Sequence, residues 1–157
     1  MQTPMNLNLR AGILMAVIAL ALNVQAQRNN FVPVASEEIG STLVRCIYKD
    51  SRGFMWFGTR TGLIRYDGTK IYQYEHTPGD SSTIIDNRIN TIIEDNNNTL
   101  WLGTAQGLVI YNPEKDNFIN VDSITGNRNH LSGKFINALC ADPAGRIWIA
   151  TFGQGLN

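Results

Sequence analysis

The chain has 157 residues, 43% of them hydrophobic, and its 13 lysines and arginines balance its 13 aspartates and glutamates. That hydrophobic fraction is enough for a packed core and argues against a disordered chain. A net charge of zero provides no basic field to attract nucleic acid or an anionic membrane. The two cysteines, Cys46 and Cys140, fit no metal-binding or disulfide pattern, so we interpret both as core residues.

The N-terminal segment has the order of features that a secretory signal peptide requires. Arg10 precedes an uninterrupted apolar run at 11–22, which is too short to cross a bilayer as a helix. Val24-Gln25-Ala26 then places a small residue at the cleavage position. We therefore predict export, with cleavage between Ala26 and Gln27. A buried N-terminal helix is the alternative, and no cysteine follows the run to carry a lipid.

After this segment, one sequence pattern occurs three times, at 50–67, 95–112 and 142–157. Trp56, Trp101 and Trp148 mark a period of roughly 45 residues, which is the length of a four-stranded propeller blade or of some helical repeats. Turn chemistry favours strands: each copy has an aspartate followed three residues later by Gly53, Asn98 or Gly145, the residue types that most readily adopt positive φ.

Short aromatic and branched segments flank each turn, so the pattern predicts four antiparallel strands in every complete copy. One such sheet cannot cover both of its own faces, and the tryptophans are expected to wedge between adjacent sheets as core residues. We interpret the recurring positions as structural. They are Asp50, Gly53, Trp56, Gly58, Thr59, Gly62, Leu63, Asp95, Trp101, Gly103, Thr104, Gly107, Leu108, Asp142, Gly145, Trp148, Thr151, Gly155 and Leu156.

At these positions the sequence resembles the two-component regulator propeller family, whose repeat reads approximately V-x-x-I-x-x-D-x-x-G-x-[LM]-W-[IF]-G-T-x-x-G-L-x-x-Y-[DN]. The resemblance extends from about Phe31 to the end of the chain. Three departures are small: Asn98 replaces the turn glycine, Ala150 replaces the glycine of G-T, and the loop at 152–154 is one residue longer than its counterparts. WD-repeat and sialidase patterns fit less well.

The resemblance implies an all-β fold, a β-propeller of about two complete four-stranded blades and part of a third. We assign 1–26 to the signal peptide and 27–37 to a strand that would close the last blade of a full propeller. Blade 1 is then 38–82, blade 2 is 83–129, and 130–157 is an incomplete blade 3. We expect that the chain is truncated and would not be stable alone.

The resemblance also implies the periplasmic sensor region of a membrane-anchored hybrid histidine kinase of Bacteroidetes, responding to carbohydrate. Kinase motifs and a second apolar span are missing from this sequence, so membrane attachment would need further segments of the sensor chain. We expect no enzymatic activity in these residues, no cofactor, and a small-molecule or oligosaccharide ligand. The alternatives are a periplasmic propeller lyase or hydrolase and a scaffold for protein docking, because a fold does not determine a function.

Catalytic and metal-binding patterns are weak. His76 and His130 lie singly in predicted loops, and the repeated aspartates suit turn capping better than calcium binding, so we predict no catalytic or metal site. Strand polarity places the long connections between repeats on the same face as the short loops after each G-T pair. The loops differ chemically although their flanks repeat. The candidate ligand-binding residues on this face are Arg60, Arg88, Gln106 and Gln154.

Overall fold

The computed structural model describes residues 43–122 and 131–157. The predicted signal peptide, its cleavage site at Ala26 and Gln27, the strand assigned to 27–37 and His130 all lie outside the described residues. Within them the chain forms three antiparallel sheets of consecutive strands. The predicted all-β propeller fragment is confirmed, whereas the boundaries assigned to the individual blades stay predictions.

The first two sheets have four strands each, in sequence order, and the third has three. The first contains β1 (Val44–Lys49), β2 (Met55–Thr59), β3 (Leu63–Tyr66) and β4 (Ile71–Tyr74). The second contains β5 (Ile89–Glu94), β6 (Leu100–Thr104), β7 (Leu108–Asn112) and β8 (Asn117–Asn120). The third contains β9 (Ile136–Ala141), β10 (Ile147–Thr151) and β11 (Gly155–Leu156).

The first strand of each sheet contacts the first strand of the next, so that β5 packs between β1 and β9. Each of these strands carries the same irregularity: one residue near its start has no partner on the neighbouring strand. The unpaired residues are Arg45, Asn90 and Asn137. Such a bulge bends a strand and changes the direction of its side chain. Asn90 uses this position to donate from Nδ2 to the carbonyl oxygen of Ile136, 2.7 Å away in the next sheet.

The turn between the first two strands of each sheet has the backbone conformation that the sequence predicts. Gly53, Asn98 and Gly145 have φ values of 92°, 61° and 81°. In each turn one carboxylate oxygen of the preceding aspartate accepts hydrogen bonds from two backbone amides, as Asp95 Oδ1 does from Asn97 N and Thr99 N. The aspartate therefore holds the turn closed before the second strand begins.

The repeated tryptophan lies on the sheet face that the next sheet covers. Trp56 is completely buried and packs edge-on against Tyr111 of the second sheet, with ring centroids 4.9 Å apart. Trp101 is half-buried against the core formed with the third sheet. Trp148, expected to be a core residue, is instead 39% exposed. It lies on the face of the third sheet that no other described sheet covers.

The uncovered face of the third sheet also explains why Cys140 differs from the expectation. Cys140 pairs with Trp148 across the strands and is exposed, so it is not the core residue that the sequence suggested. Cys46, in the first sheet, is partly buried, and its burial raises the pKa of the thiol to about 11. Both thiols are free.

The glycine of the repeated G-T pair is required by close packing between sheets. A Cβ atom on Gly58 would lie 2.8 Å from Cγ2 of Ile89, and one on Gly103 would lie 2.6 Å from Cγ2 of Ile136. Both isoleucines belong to the first strand of the following sheet. Ala150 occupies the equivalent position of the third sheet, on the face that no other described sheet covers, so no isoleucine of a following described sheet lies opposite it.

Candidate ligand-binding face

One face of the sheets is formed by the short T-x-x-G loops that follow β2, β6 and β10. The threonine hydroxyl donates to the carbonyl oxygen of the glycine that ends the loop: Thr59 to Gly62 at 2.7 Å, Thr104 to Gly107 at 2.9 Å, and Thr151 to Gly155 at 3.0 Å. The third bond spans one more residue than the other two. The threonine thus fixes the base of the loop while leaving the residues between free to differ.

The connections between sheets lie against these loops, as strand polarity predicts. The backbone amide of Ala105 donates to the carbonyl oxygen of Arg88 at 3.1 Å, and Phe152 N donates to Phe135 O at 2.9 Å. Both bonds join a T-x-x-G loop to the residue that precedes the first strand of its own sheet. We call the surface formed by the T-x-x-G loops and these connections the loop face.

The four candidate residues are distributed unevenly over the loop face. The backbone bond between Ala105 and Arg88 joins the segments that carry Arg88 and Gln106. The guanidinium of Arg88 lies over the ring of Phe135, 4.9 Å from its centroid, and its buried Nε has no hydrogen-bond partner among the described residues. Gln106 and Arg60 are exposed. Gln154 is exposed and lies beside Gly133.

The connection at 75–88, between the first and second sheets, is an ordered loop that sequence reasoning treated only as long and polar. Ile84 is completely buried and anchors it in the core. Asp80 accepts from both the amide and the hydroxyl of Ser82 through Oδ1, at 2.9 and 2.6 Å. These bonds lower the pKa of Asp80 below its usual value. The spacing Asp-x-Ser, typical of a side-chain-capped turn, is the signal that could have predicted this order.

His76 holds the start of this loop and is not simply solvated. Its Nδ1 lies 2.8 Å from the carbonyl oxygen of Ile84, and its backbone amide donates to Asn87 Oδ1 at 2.6 Å. Since a carbonyl oxygen only accepts, Nδ1 carries a proton and donates to Ile84. In the middle of the loop, the carbonyl oxygen of Ser82 accepts a hydrogen bond from Phe118 N of β8 at 2.8 Å. This bond joins the loop to the second sheet.

A second polar cluster, which the sequence did not reveal, joins the first two sheets away from the loop face. Asp116 Oδ1 accepts from Arg65 at 3.0 Å, from the Tyr74 hydroxyl at 2.8 Å and from the Tyr111 hydroxyl at 2.5 Å. Burial, followed by the Asp116 hydrogen bond, raises the pKa of both tyrosines. Burial opposes ionisation of Asp116, but these donors hold its pKa below the usual value.

This cluster is enclosed by aromatic rings. The Arg65 guanidinium lies 4.4 Å from the ring centroid of Tyr72 and 5.6 Å from that of Trp56. The hydroxyl groups of Tyr74 and Tyr111 and one terminal nitrogen of Arg65 are bonded to Asp116, whereas Arg65 Nε is buried without a partner among the described residues. These bonds stabilise the junction of the two sheets.

Metal-binding geometry is missing from the described parts of the chain. No group of three or more histidine, cysteine, aspartate or glutamate side chains there could hold a metal ion. The carboxylates of the repeated aspartates already accept hydrogen bonds from the protein. Besides the bonds from the turn amides, Asp50, Asp95 and Asp142 each accept one from the indole of their tryptophan. No helix in 43–122 or 131–157 is both long and apolar enough to cross a membrane.

Comparisons with known proteins agree with this architecture. The model of the two component regulator propeller family matches at 38–61, 83–106 and 130–153, once in each sheet repeat. Histidine kinase P4 of Formosa agariphila is 36% identical over 70 residues, which are 41% of this chain and 5% of that protein. The chain therefore spans a small part of this relative.

Two solved structures are also similar. The extracellular domain of the hybrid two component system BT3049 from B. thetaiotaomicron superposes with a TM-score of 0.57 at 26% identity, covering 81% of this chain and 16% of that one. The extracellular domain of the one component system BT4673 from the same organism gives 0.58 at 26% identity, covering 80% and 16%. Three matches to the family model, each placed on one antiparallel sheet, show that the chain contains two component regulator propeller repeats.

Proposed function

We propose that the chain is part of an extracytoplasmic sensor that binds a small-molecule or oligosaccharide ligand on its loop face and passes this signal to a histidine kinase. The match of three propeller repeats to the regulator family carries the proposal. It is supported by the similarity to extracellular domains of B. thetaiotaomicron signalling systems and to part of a histidine kinase. Kinase activity would belong to other segments of such a protein.

The loop face is the surface best suited to binding. The Thr-to-Gly hydrogen bonds repeat in all three sheets, while Arg88, Gln106 and their counterparts differ from one sheet to the next. A rigid frame that carries variable loops is the usual arrangement of a binding surface. Arg88 supports this assignment most directly, because its Nε is buried and lacks a partner among the described residues.

The role of the candidate ligand-binding residues can be tested in the full-length sensor of which we propose this chain is a part, by titrating it with a panel of neutral and anionic oligosaccharides. Arg88→Ala and Gln106→Ala should weaken binding by about 1–3 kcal/mol, the cost of losing a buried hydrogen bond. Arg60→Ala and Gln154→Ala test the T-x-x-G loops of the first and third sheets. The matched controls are Asn97→Ala and Ala144→Ser, which lie in turns at the opposite ends of the strands. If these controls abolish binding and the loop-face variants do not, the ligand binds elsewhere.

Export and the absence of catalysis can be tested on the same preparation. Cell fractionation should recover the chain outside the cytoplasm, and N-terminal sequencing should begin at Gln27. The panel oligosaccharides should be recovered unchanged after incubation. Cleavage of any of them would favour the lyase or hydrolase alternative, and a cytoplasmic product that retains Met1 would contradict export.

A further inference from the structure

Arg88, at the end of the connection between the first two sheets, carries a positive charge that no described acid pairs with. The ion pairs within residues 43–122 and 131–157 involve Arg52, Arg65 and Arg146. Asp86 accepts from the backbone amide of Arg88 at 2.6 Å and forms no ion pair with its guanidinium. Arg88 is half-buried, and its buried Nε lacks a partner among the described residues. Because withdrawing an unpaired charge from water is unfavourable, an anion bound here would stabilise it.

The Arg88 side chain is held by Phe135, the residue that precedes β9 in the third sheet. Its guanidinium carbon lies 4.9 Å from the centroid of the Phe135 ring, within the range of a cation–π contact. Two hydrogen bonds fix the backbone around this ring. Phe135 O accepts from Phe152 N at 2.9 Å, and Ile136 O accepts from Asn90 Nδ2 at 2.7 Å. The ring therefore orients the guanidinium without neutralising it.

An exposed aromatic ring lies next to this contact. Phe152, in the T-x-x-G loop of the third sheet, is 73% exposed, and its ring centroid lies 5.6 Å from that of Phe135. The corresponding loop positions of the first two sheets are Arg60 and Ala105, so the ring is particular to the third sheet. Phe135 thus contacts both the guanidinium of Arg88 and an open apolar ring, which offers its surface to the uncharged part of a ligand.

These three side chains together select for a class of ligand. The planar guanidinium matches the two oxygens of a carboxylate, with which it forms a pair of parallel hydrogen bonds. Phe152 offers its ring to a flat apolar body joined to that carboxylate. Sulfate and phosphate would satisfy the charge and leave the ring of Phe152 in water. The carboxylate of Asp86, beside the Arg88 backbone, also disfavours an anion of more than one charge through like-charge repulsion.

We infer that Arg88, Phe135 and Phe152 form a site for a small carboxylate with a flat apolar body, such as an arylalkanoate. Arg88 binds the carboxylate, Phe152 packs against the apolar body, and Phe135 is a positioning residue that holds the guanidinium. The inference rests on the proposed function and deepens it, because it names a ligand class for the loop face.

Isothermal titration of the full-length sensor with phenylacetate tests the ligand class. Two analogues separate its parts: phenylacetamide keeps the ring and lacks the charge, and acetate keeps the carboxylate and lacks the ring. We expect both to bind at least about tenfold more weakly than phenylacetate, because each loses one of the two contacts. Inorganic sulfate and phosphate are anions without an apolar body, and they should bind no more tightly than acetate.

Substitutions test the residues of the site. Arg88→Lys keeps the charge and loses the paired hydrogen bonds, so phenylacetate should bind about tenfold more weakly. Phe135→Leu removes the ring next to the guanidinium and should weaken binding about threefold to tenfold. Phe135→Tyr restores an aromatic ring, and its normal binding would separate the loss of the ring from misfolding. Arg146→Lys is the control and should bind normally, because Arg146 lies over Trp148 at 5.3 Å but is already paired with Asp142.

The outcomes separate this inference from the proposed function. Equal binding of phenylacetate and phenylacetamide, or of phenylacetate and sulfate, would overturn the ligand class. Phenylacetate binding that is unchanged in Arg88→Lys would overturn the site, and unchanged binding in Phe135→Leu would overturn the role of Phe135. If phenylacetate does not bind to a sensor whose oligosaccharide binding is weakened by Arg88→Ala, this inference alone is wrong. If neither phenylacetate nor any oligosaccharide of the panel binds, the proposed function of the loop face is wrong as well.

Discussion

The indole Nε1 of Trp101 donates to Oδ2 of Asp95 at 2.9 Å, and the same bond joins Trp56 to Asp50 and Trp148 to Asp142. Through its other oxygen, each aspartate also accepts from the turn amides two and four residues later. One carboxylate therefore ties the turn to the side chain that packs between sheets. This explains why aspartate and tryptophan recur together six residues apart.

We predict that Asp95→Ala destabilises the chain by about 1–3 kcal/mol, because the indole and two turn amides lose their acceptor. Hydrogen exchange followed by NMR should show faster exchange of the Trp101 indole proton. A general loss of stability would instead speed exchange at all three indole protons. Glu114→Ala, an exposed carboxylate in another turn, is the control and should leave the exchange rate unchanged. Slow indole exchange in Asp95→Ala would contradict the role of this bond.

The tryptophans should differ in their contribution to stability. Trp101→Ala removes a ring packed against the third sheet and should cost about 3–5 kcal/mol in the free energy of unfolding. Trp148→Ala should cost clearly less, because this ring is 39% exposed and is covered by no other described sheet. Urea unfolding of the two variants, measured side by side, tests this order. Equal costs would mean that Trp148 is covered in solution.

A matched pair of substitutions tests the close approach between sheets. Gly103→Ala would force a methyl group against Ile136 and Thr91, and we expect a loss of about 1–3 kcal/mol from overpacking. The reverse change in the third sheet, Ala150→Gly, should cost about 1 kcal/mol or less, the usual penalty for glycine within a strand. Thermal unfolding should separate the two variants. A neutral Gly103→Ala would show that the sheets can move apart without cost.

Acid should destabilise the fold through its turn aspartates. Hydrogen bonds from the Lys70 and Thr69 amides lower the pKa of Asp67 to about 2, and the Arg146 amide and side chain do the same for Asp142. Because the pKa in the folded state lies below the unfolded value of roughly 3.9, protonation favours unfolding. This contribution is complete above about pH 4 and is lost as the pH falls towards 2.

Carboxyl carbon shifts followed by NMR during an acid titration should give midpoints near 2 for Asp67 and Asp142. Asp67→Asn keeps an oxygen for the turn amides and removes the titrating group, so its stability should fall less steeply below pH 4 than that of the parent chain. Midpoints close to the unfolded value for both aspartates would show that these turns are open in solution.

The amino-acid sequence by itself determined the repeat, the four-stranded pattern and the turn conformations at Gly53, Asn98 and Gly145. These features depend on local chemistry: strand periodicity, turn residues that accept positive φ, and side chains that hydrogen-bond within a few residues. The closeness of the T-x-x-G loops to the connections between sheets also followed, because alternating strand direction decides which strand ends share a face.

Only the tertiary structure decided how residues distant in the sequence are combined. Exposure of Trp148 and Cys140 depends on which sheet face another sheet covers, and no repeat position encodes that. Asp116 meets Arg65 and Tyr74 only because the second sheet packs on the first. The 75–88 loop is likewise hydrogen-bonded to β8, a contact between segments more than 30 residues apart that periodicity cannot specify.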